Sequence, residues 1–238
     1  MKSTKAFTLI ETLIAMVIGV ISVAAISYSY IYFNNTYQNI LDKANMSQSG
    51  RSSLHQISKD LRNAGFKDVH YTKKNWDRWI EKKENYNNTG GDYLRIWYNT
   101  SSQDRLEVRY YLTKDASTQE TSLIREMIEN PGTGQERKMN LIPIVSKASD
   151  FQVVLRDKSG DEINPVGLTS NTAKANQSKV HTAEIYVTVR SPNELLKKDH
   201  AFKITNHSGS TGRDFTKNDK YLRETFYISV YLRNVVKT

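Results

Sequence analysis

From Phe7 to Phe33 the chain is apolar, with Glu11 as its single charge. As a helix this stretch is roughly 40 Å long, at about 1.5 Å per residue. A bilayer core of roughly 30 Å takes about 20 apolar residues, so one span fits with length to spare. The pattern then changes without a break. Asn34-Asn35-Thr36 is polar, but no Pro or Gly follows until Gly50. Beyond it Leu54, Ile57, Leu61 and Ala64 recur at helical spacing, which makes one face of an amphipathic helix. Gly65 follows, as a helix-closing glycine does. The pattern predicts one helix from Phe7 to about Ala64, with Gly19 and Gly50 as soft points. Its first half is apolar all round, and its second half carries one stripe that can pack on a sheet.

After Gly65 the period shortens. Tyr93–Tyr98 and Leu106–Leu112 alternate and predict a hairpin across Asn99–Asp104. Ser122–Glu129, Phe151–Arg156, Ala183–Arg190 and Thr225–Leu232 are further strands. In Ala183–Arg190 the residues Ile185, Val187 and Val189 mark one buried face. Asp157-Lys158-Ser159-Gly160-Asp161 reads as a tight turn. Loops are expected at Asn85–Gly91, Asn130–Arg137, Thr169–Lys179 and Asn206–Lys220. Together these elements predict an α+β fold, a long N-terminal helix packed on an antiparallel sheet.

The net charge of +9 comes from 34 basic and 25 acidic residues. A basic surface can favour polyanions such as nucleic acid or anionic headgroups. Here the excess is spread along the chain, as on a solvated surface. Tyr71–Lys83 interleaves aromatic and basic residues as a stacking surface for nucleic acid does. Asp77 and Glu81 dilute it, which favours a connecting segment whose Trp residues cap the sheet core. There is no Cys, so disulfides, thiolate metal sites and a Cys nucleophile are excluded.

Lys2 and Lys5 precede the apolar run, with no acid beside them. Positive flanks stay cytoplasmic, so the C-terminal bulk is expected to be exported. A secretory signal would have a shorter apolar stretch with a small-residue cleavage site after it. A plain anchor leaves Glu11 unexplained, because a carboxylate in a membrane helix is costly. Snorkelling of Glu11 to the headgroups is the simpler alternative to a functional role.

Ala6-Phe7-Thr8-Leu9-Ile10-Glu11 resembles the class III signal of type IV pilins and type II secretion pseudopilins. The resemblance implies a leader at residues 1–6, cut by a prepilin peptidase between Ala6 and Phe7. It implies N-methylation of the new terminus at Phe7. The family prefers Gly before the cut, and this chain has Ala6, which is also small. The resemblance further implies that Glu11 is a counter-ion for the Phe7 ammonium of a neighbouring subunit. A buried cation needs such a partner. The domains expected are leader 1–6, membrane and filament-core helix 7–34, and exported head 35–238. The roll-like pilin fold is implied as well.

The stretch Gly50–Phe66 is similar to the helix end of PilW-type minor pilins and of the J-type minor pseudopilin of type II secretion. Val230-Tyr231-Leu232-Arg233-Asn234 resembles the closing strand of PilW-type chains. The resemblance implies a minor pilin acting in pilus assembly or initiation, with twitching, adhesion or DNA uptake as outputs. The alternatives are a J-type pseudopilin and a DNA-binding minor pilin. Implied partners are the prepilin peptidase, other major and minor pilins, the inner-membrane assembly platform and membrane lipid. The implied location is the bacterial inner membrane, as a single pass with a cytoplasmic N-terminus, and then the filament.

The five His residues show no zinc-ligand spacing. Gly132-Thr133-Gly134 lacks the rest of a phosphate loop. No Gly-x-Ser-x-Gly elbow occurs. Asp157, Asp161 and Glu162 carry oxygens of the kind calcium takes, against the simpler reading as a turn. No constellation supports an enzyme, and no cofactor is implied.

Overall fold

The computed structural model describes residues 8–68, 70, 79–84, 91–101, 104–131, 134, 136–139, 141–207 and 215–234. The chain divides into two compact units, Met1–Ala44 and Asn45–Thr238. A 55-residue helix, α1 (Leu9–Asn63), supplies the described part of the first unit and opens the second. In the first unit its side chains are exposed on every face up to Leu41. Leu9, Met16 and Ile26 are each about two-thirds exposed or more. A helix apolar all round belongs in lipid or among other helices, not in water. Among the described residues it is the one helix long and apolar enough to cross a membrane.

In the second unit the apolar stripe is buried. Met46, Leu54, Ile57, Leu61 and Ala64 all enter the core. Gly50 is required within that stripe, since a Cβ there would lie 2.2 Å from Cδ2 of Phe226. The helix ends where the spacing predicts. Gly65 takes a left-handed φ of 75°, the usual conformation for closing a helix. Its N–H donates to the Trp97 carbonyl at 2.9 Å, and the Asn99 N–H donates to the Phe66 carbonyl at 3.0 Å. These bonds tie the helix end to the sheet.

The strands of the head are β1 (Ile80–Lys83), β2 (Tyr93–Asn99), β3 (Arg105–Lys114), β4 (Thr121–Glu129), β5 (Arg137–Lys138), β6 (Ile142–Val145), β7 (Ala148–Arg156), β8 (Thr182–Glu194), β9 (His200–Ile204), β10 (Phe215–Asp219) and β11 (Tyr221–Tyr231). A short helix, α2 (Asn171–Gln177), lies between β7 and β8. The expected antiparallel pairing holds throughout, but it is split over three sheets. One runs β1-β2-β3-β4-β5, with β6 also paired to β4; one is β11-β8-β7; the third is β9 with β10.

The predicted hairpin is present, with Tyr98 opposite Leu106 and Asn99 opposite Arg105. Alternation sorts its faces. Leu94, Ile96 and Tyr98 join Leu106, Val108 and Tyr110 in the core. The opposite face carries a charge ladder, in which Arg95 bonds Glu81 and Glu107, and Arg109 bonds Glu107 and Glu126. From the second sheet Phe151, Val153, Ile185, Val187 and Phe226 complete the core.

Three expected loops contain regular structure, and one further strand appears. Thr169–Lys179 is not a loop throughout, because α2 forms inside it. Ser170 caps that helix, its hydroxyl accepting from the Ala173 N–H at 3.1 Å. The buried Gln177 holds α2 in place by accepting from the backbone of Trp79 at 3.1 Å and donating to the Gly167 carbonyl at 3.0 Å. Asn206–Lys220 contains β10, a polar strand formed by pairing with β9. Asn130–Arg137 ends in β5. Ile142–Val145 is a strand despite Pro143, which is tolerated because β6 pairs only with β4 among the described strands.

Candidate functional site at the helix start

Thr8 and Glu11 form a reciprocal cap. The Thr8 hydroxyl accepts from the Glu11 N–H at 3.3 Å. In return Glu11 Oε2 accepts from the Thr8 N–H and the Thr8 hydroxyl, both at 2.9 Å. The Thr8 carbonyl accepts the first helical bond, from the Thr12 N–H at 3.2 Å. This is a Thr-x-x-Glu capping box, which satisfies backbone donors that the first helical turn leaves open. Negative charge at this end also complements the helix dipole. Oε1 of Glu11 accepts no bond from a described residue.

Three other hydroxyls of this stretch are bonded within the helix. Thr12, Ser22 and Thr36 donate to the carbonyls of Thr8, Ile18 and Tyr32 at 2.8–3.0 Å. Hydroxyls bonded this way leave no open donor to lipid or to a packed neighbour. Ala6 and Phe7, the predicted cleavage and methylation residues, lie outside the described residues.

A second polar centre sits in the head, where α1 meets the first sheet. Asp60 is 2% exposed, in the same stripe as Ile57 and Leu61. It accepts from Arg125 Nε at 2.7 Å, from Gln56 at 3.3 Å, from the Tyr98 hydroxyl at 3.4 Å and from the Tyr110 hydroxyl. Burial, reinforced by the Asp60 charge, pushes the Tyr98 and Tyr110 hydroxyls up, so both remain donors at neutral pH. Burial alone would lower Arg125; the Asp60 hydrogen bond and charge reverse that and hold the guanidinium protonated. Asp60 therefore fixes the helix to the sheet through a fully bonded charge. A polar residue inside an apolar stripe was the signal in the sequence. Its partner Arg125 lies 65 residues away, beyond the reach of pattern.

The other candidate sites take structural places. Of Tyr71–Lys83, residues 71–78 lie outside the described set. Ile80, Glu81 and Lys82 are buried in β1, and Trp79 packs against the core. Asp157 Oδ1 accepts from the N–H groups of Ser159 and Asp161 at 2.8 and 3.0 Å, closing the predicted turn. Glu162 pairs with Lys82 at 3.4 Å instead of joining that turn. Among the described residues no three His, Asp or Glu side chains are grouped to hold a metal ion. At the C-terminal end Leu232 is buried, and Asn234 donates to the Arg62 carbonyl at 2.9 Å, satisfying an open acceptor of the last helical turn.

Residues 1–27 match the family described as the prokaryotic N-terminal methylation motif. No curated protein matches the sequence. Among solved structures, a type IV-like pilin from Thermus thermophilus is similar in fold, with a TM-score of 0.54 and 13% identity. The likeness covers 80% of this chain and 97% of that one. The chain thus carries an N-terminal methylation motif at the capped start of its helix, and behind it a fold like that of a type IV-like pilin.

Proposed function

We propose that the chain is a minor type IV pilin of the PilW type that acts in pilus assembly or initiation. A prepilin peptidase removes residues 1–6 between Ala6 and Phe7, and Phe7 is N-methylated. Residues 7–34 then hold the subunit in the inner membrane and later in the filament core, with the head 35–238 exported. Tyr28, Tyr30, Tyr32 and Phe33 are exposed and follow the most apolar stretch, as aromatic residues do at a membrane interface. Other pilins and the inner-membrane assembly platform are the partners, and the role is non-enzymatic.

The Thr8–Glu11 box carries this reading, set as it is at the head of a helix with no cover of its own. The box holds the carboxylate at the helix start. Once the leader is gone, the ammonium of a neighbour's Phe7 needs a counter-ion among apolar helices. Glu11 supplies it and sets the axial register between subunits.

Deleting the gene tests the machine. Loss of surface pili with normal secretion of exoproteins is expected. Normal piliation with lost secretion would transfer the chain to the J-type pseudopilins, whose N-terminal logic is the same.

A further inference from the structure

In the sheet β11-β8-β7, strand β11 pairs on one side only among the described strands. Its ladder shows which residues face the open side. The Leu232 N–H donates to the His181 carbonyl at 2.8 Å, continuing the register that sets Tyr231 opposite Thr182. Opposed residues of an antiparallel pair alternate between bonded and unbonded positions. Phe226, Ile228 and Val230 therefore turn their backbone groups toward β8. Thr225, Tyr227, Ser229 and Tyr231 turn theirs outward, and all four are exposed.

A bare strand edge is a template for another strand, and proteins blunt it with Lys, Pro or a covering segment. The other edges of the head carry such devices. In β1 the Lys82 N–H donates to the Val166 carbonyl at 3.0 Å, β5 is Arg137-Lys138, and β6 holds Pro143. Asp92 covers β7, donating from its N–H to the Phe151 carbonyl at 2.7 Å and accepting from the Val153 N–H at 2.8 Å. Strands β9 and β10 carry Lys203 and Lys217. Thr225–Tyr231 has none of these. It holds no Lys, Pro or Gly and no charge, and its aromatic and β-branched residues favour pairing.

We propose that a second copy of the chain pairs with this edge, β11 against β11 and antiparallel, so that the two sheets continue as one. Charge selects this occupant and direction. Glu224 stands at one end of the neutral stretch and Arg233 at the other. Antiparallel self-pairing brings each copy's acidic end to the other's basic end, whereas parallel pairing sets like charges together. With Ser229 opposite Ser229, Tyr227 of each copy faces Tyr231 of the other. Both rings are exposed, at 52% and 60%, and aromatic cross-strand pairs stabilise a sheet. The contact is self-complementary, as a two-fold interface requires. It is independent of the assembly role proposed for Glu11.

The chain has no Cys, so one introduced thiol reports on its own neighbours. The test uses the full chain in nonionic detergent under mild oxidation. Ser229→Cys is expected to give a disulfide-linked dimer, because the two Cα atoms would lie about 5.5 Å apart, within the range a disulfide spans. Ser159→Cys, in the exposed turn after β7, is expected to remain uncrosslinked. Light scattering then reads the association without a cross-link. Ser229→Lys sets two like charges face to face, and the dimer Kd is expected to rise on the order of ten-fold. Its circular dichroism is expected to match the parent, since residue 229 is exposed and its backbone groups face away from β8. A monomeric parent chain, equal cross-linking of the two Cys variants, or a dimer unaffected by Ser229→Lys overturns the proposal. So does cross-linking of Ser229→Cys to a co-expressed pilin of another type in place of a second copy.

Discussion

Asp60→Ala is expected to destabilise the head by about 3–5 kcal/mol, the cost of leaving one partner of a buried ion pair alone. Arg125 would keep its charge at the helix–sheet contact, and the Tyr98 and Tyr110 hydroxyls would lose their shared acceptor. For a chain of this size the shift is roughly 6–20 °C in Tm. Thermal unfolding of the detergent-solubilised chain reads it directly. Asp60→Asn combined with Arg125→Gln is expected to cost less than the sum of the two single changes, because it leaves no uncompensated charge. Additive losses would show that Asp60 and Arg125 do not act as a pair.

Glu11 has two roles that one substitution cannot separate, but a pair can. Gln at the third helical position still completes a capping box. Glu11→Gln therefore keeps the helix start and removes only the charge. Glu11→Ala removes both. Processing by the peptidase is expected with either variant. Incorporation into filaments is expected to fall by an order of magnitude or more with both, given about 3–5 kcal/mol for a broken buried pair. Immunoblots of sheared filaments against whole cells measure it. Normal incorporation of Glu11→Gln would assign Glu11 to capping alone.

These two carboxylates were unequally legible. Glu11 stands out as the single charge in an apolar run, and the Thr8-Leu9-Ile10-Glu11 spacing fits its capping bond, a role beyond the counter-ion or snorkelling expected of it. Asp60 sits in a run of ordinary helical composition, and its meaning depends on a strand that pairs far along the chain. The same distinction runs through the fold. Strong period-2 or helical patterns, as in Ala183–Arg190 or Leu54–Ala64, placed their elements well. The weakly patterned pieces were missed. Helix α2 spans only seven residues and stands on one Ser170 cap and the Gln177 contacts. Strand β10 is mostly polar and stands on its pairing with β9.

The proposed assembly role depends on a cut just ahead of Phe7. Co-expression with a prepilin peptidase, followed by intact mass measurement and N-terminal sequencing, tests it most directly. The predicted product begins at N-methylated Phe7 and lacks residues 1–6. A mass equal to the full precursor, or a terminus beyond the apolar run, would contradict the processing and with it the assembly role of Glu11.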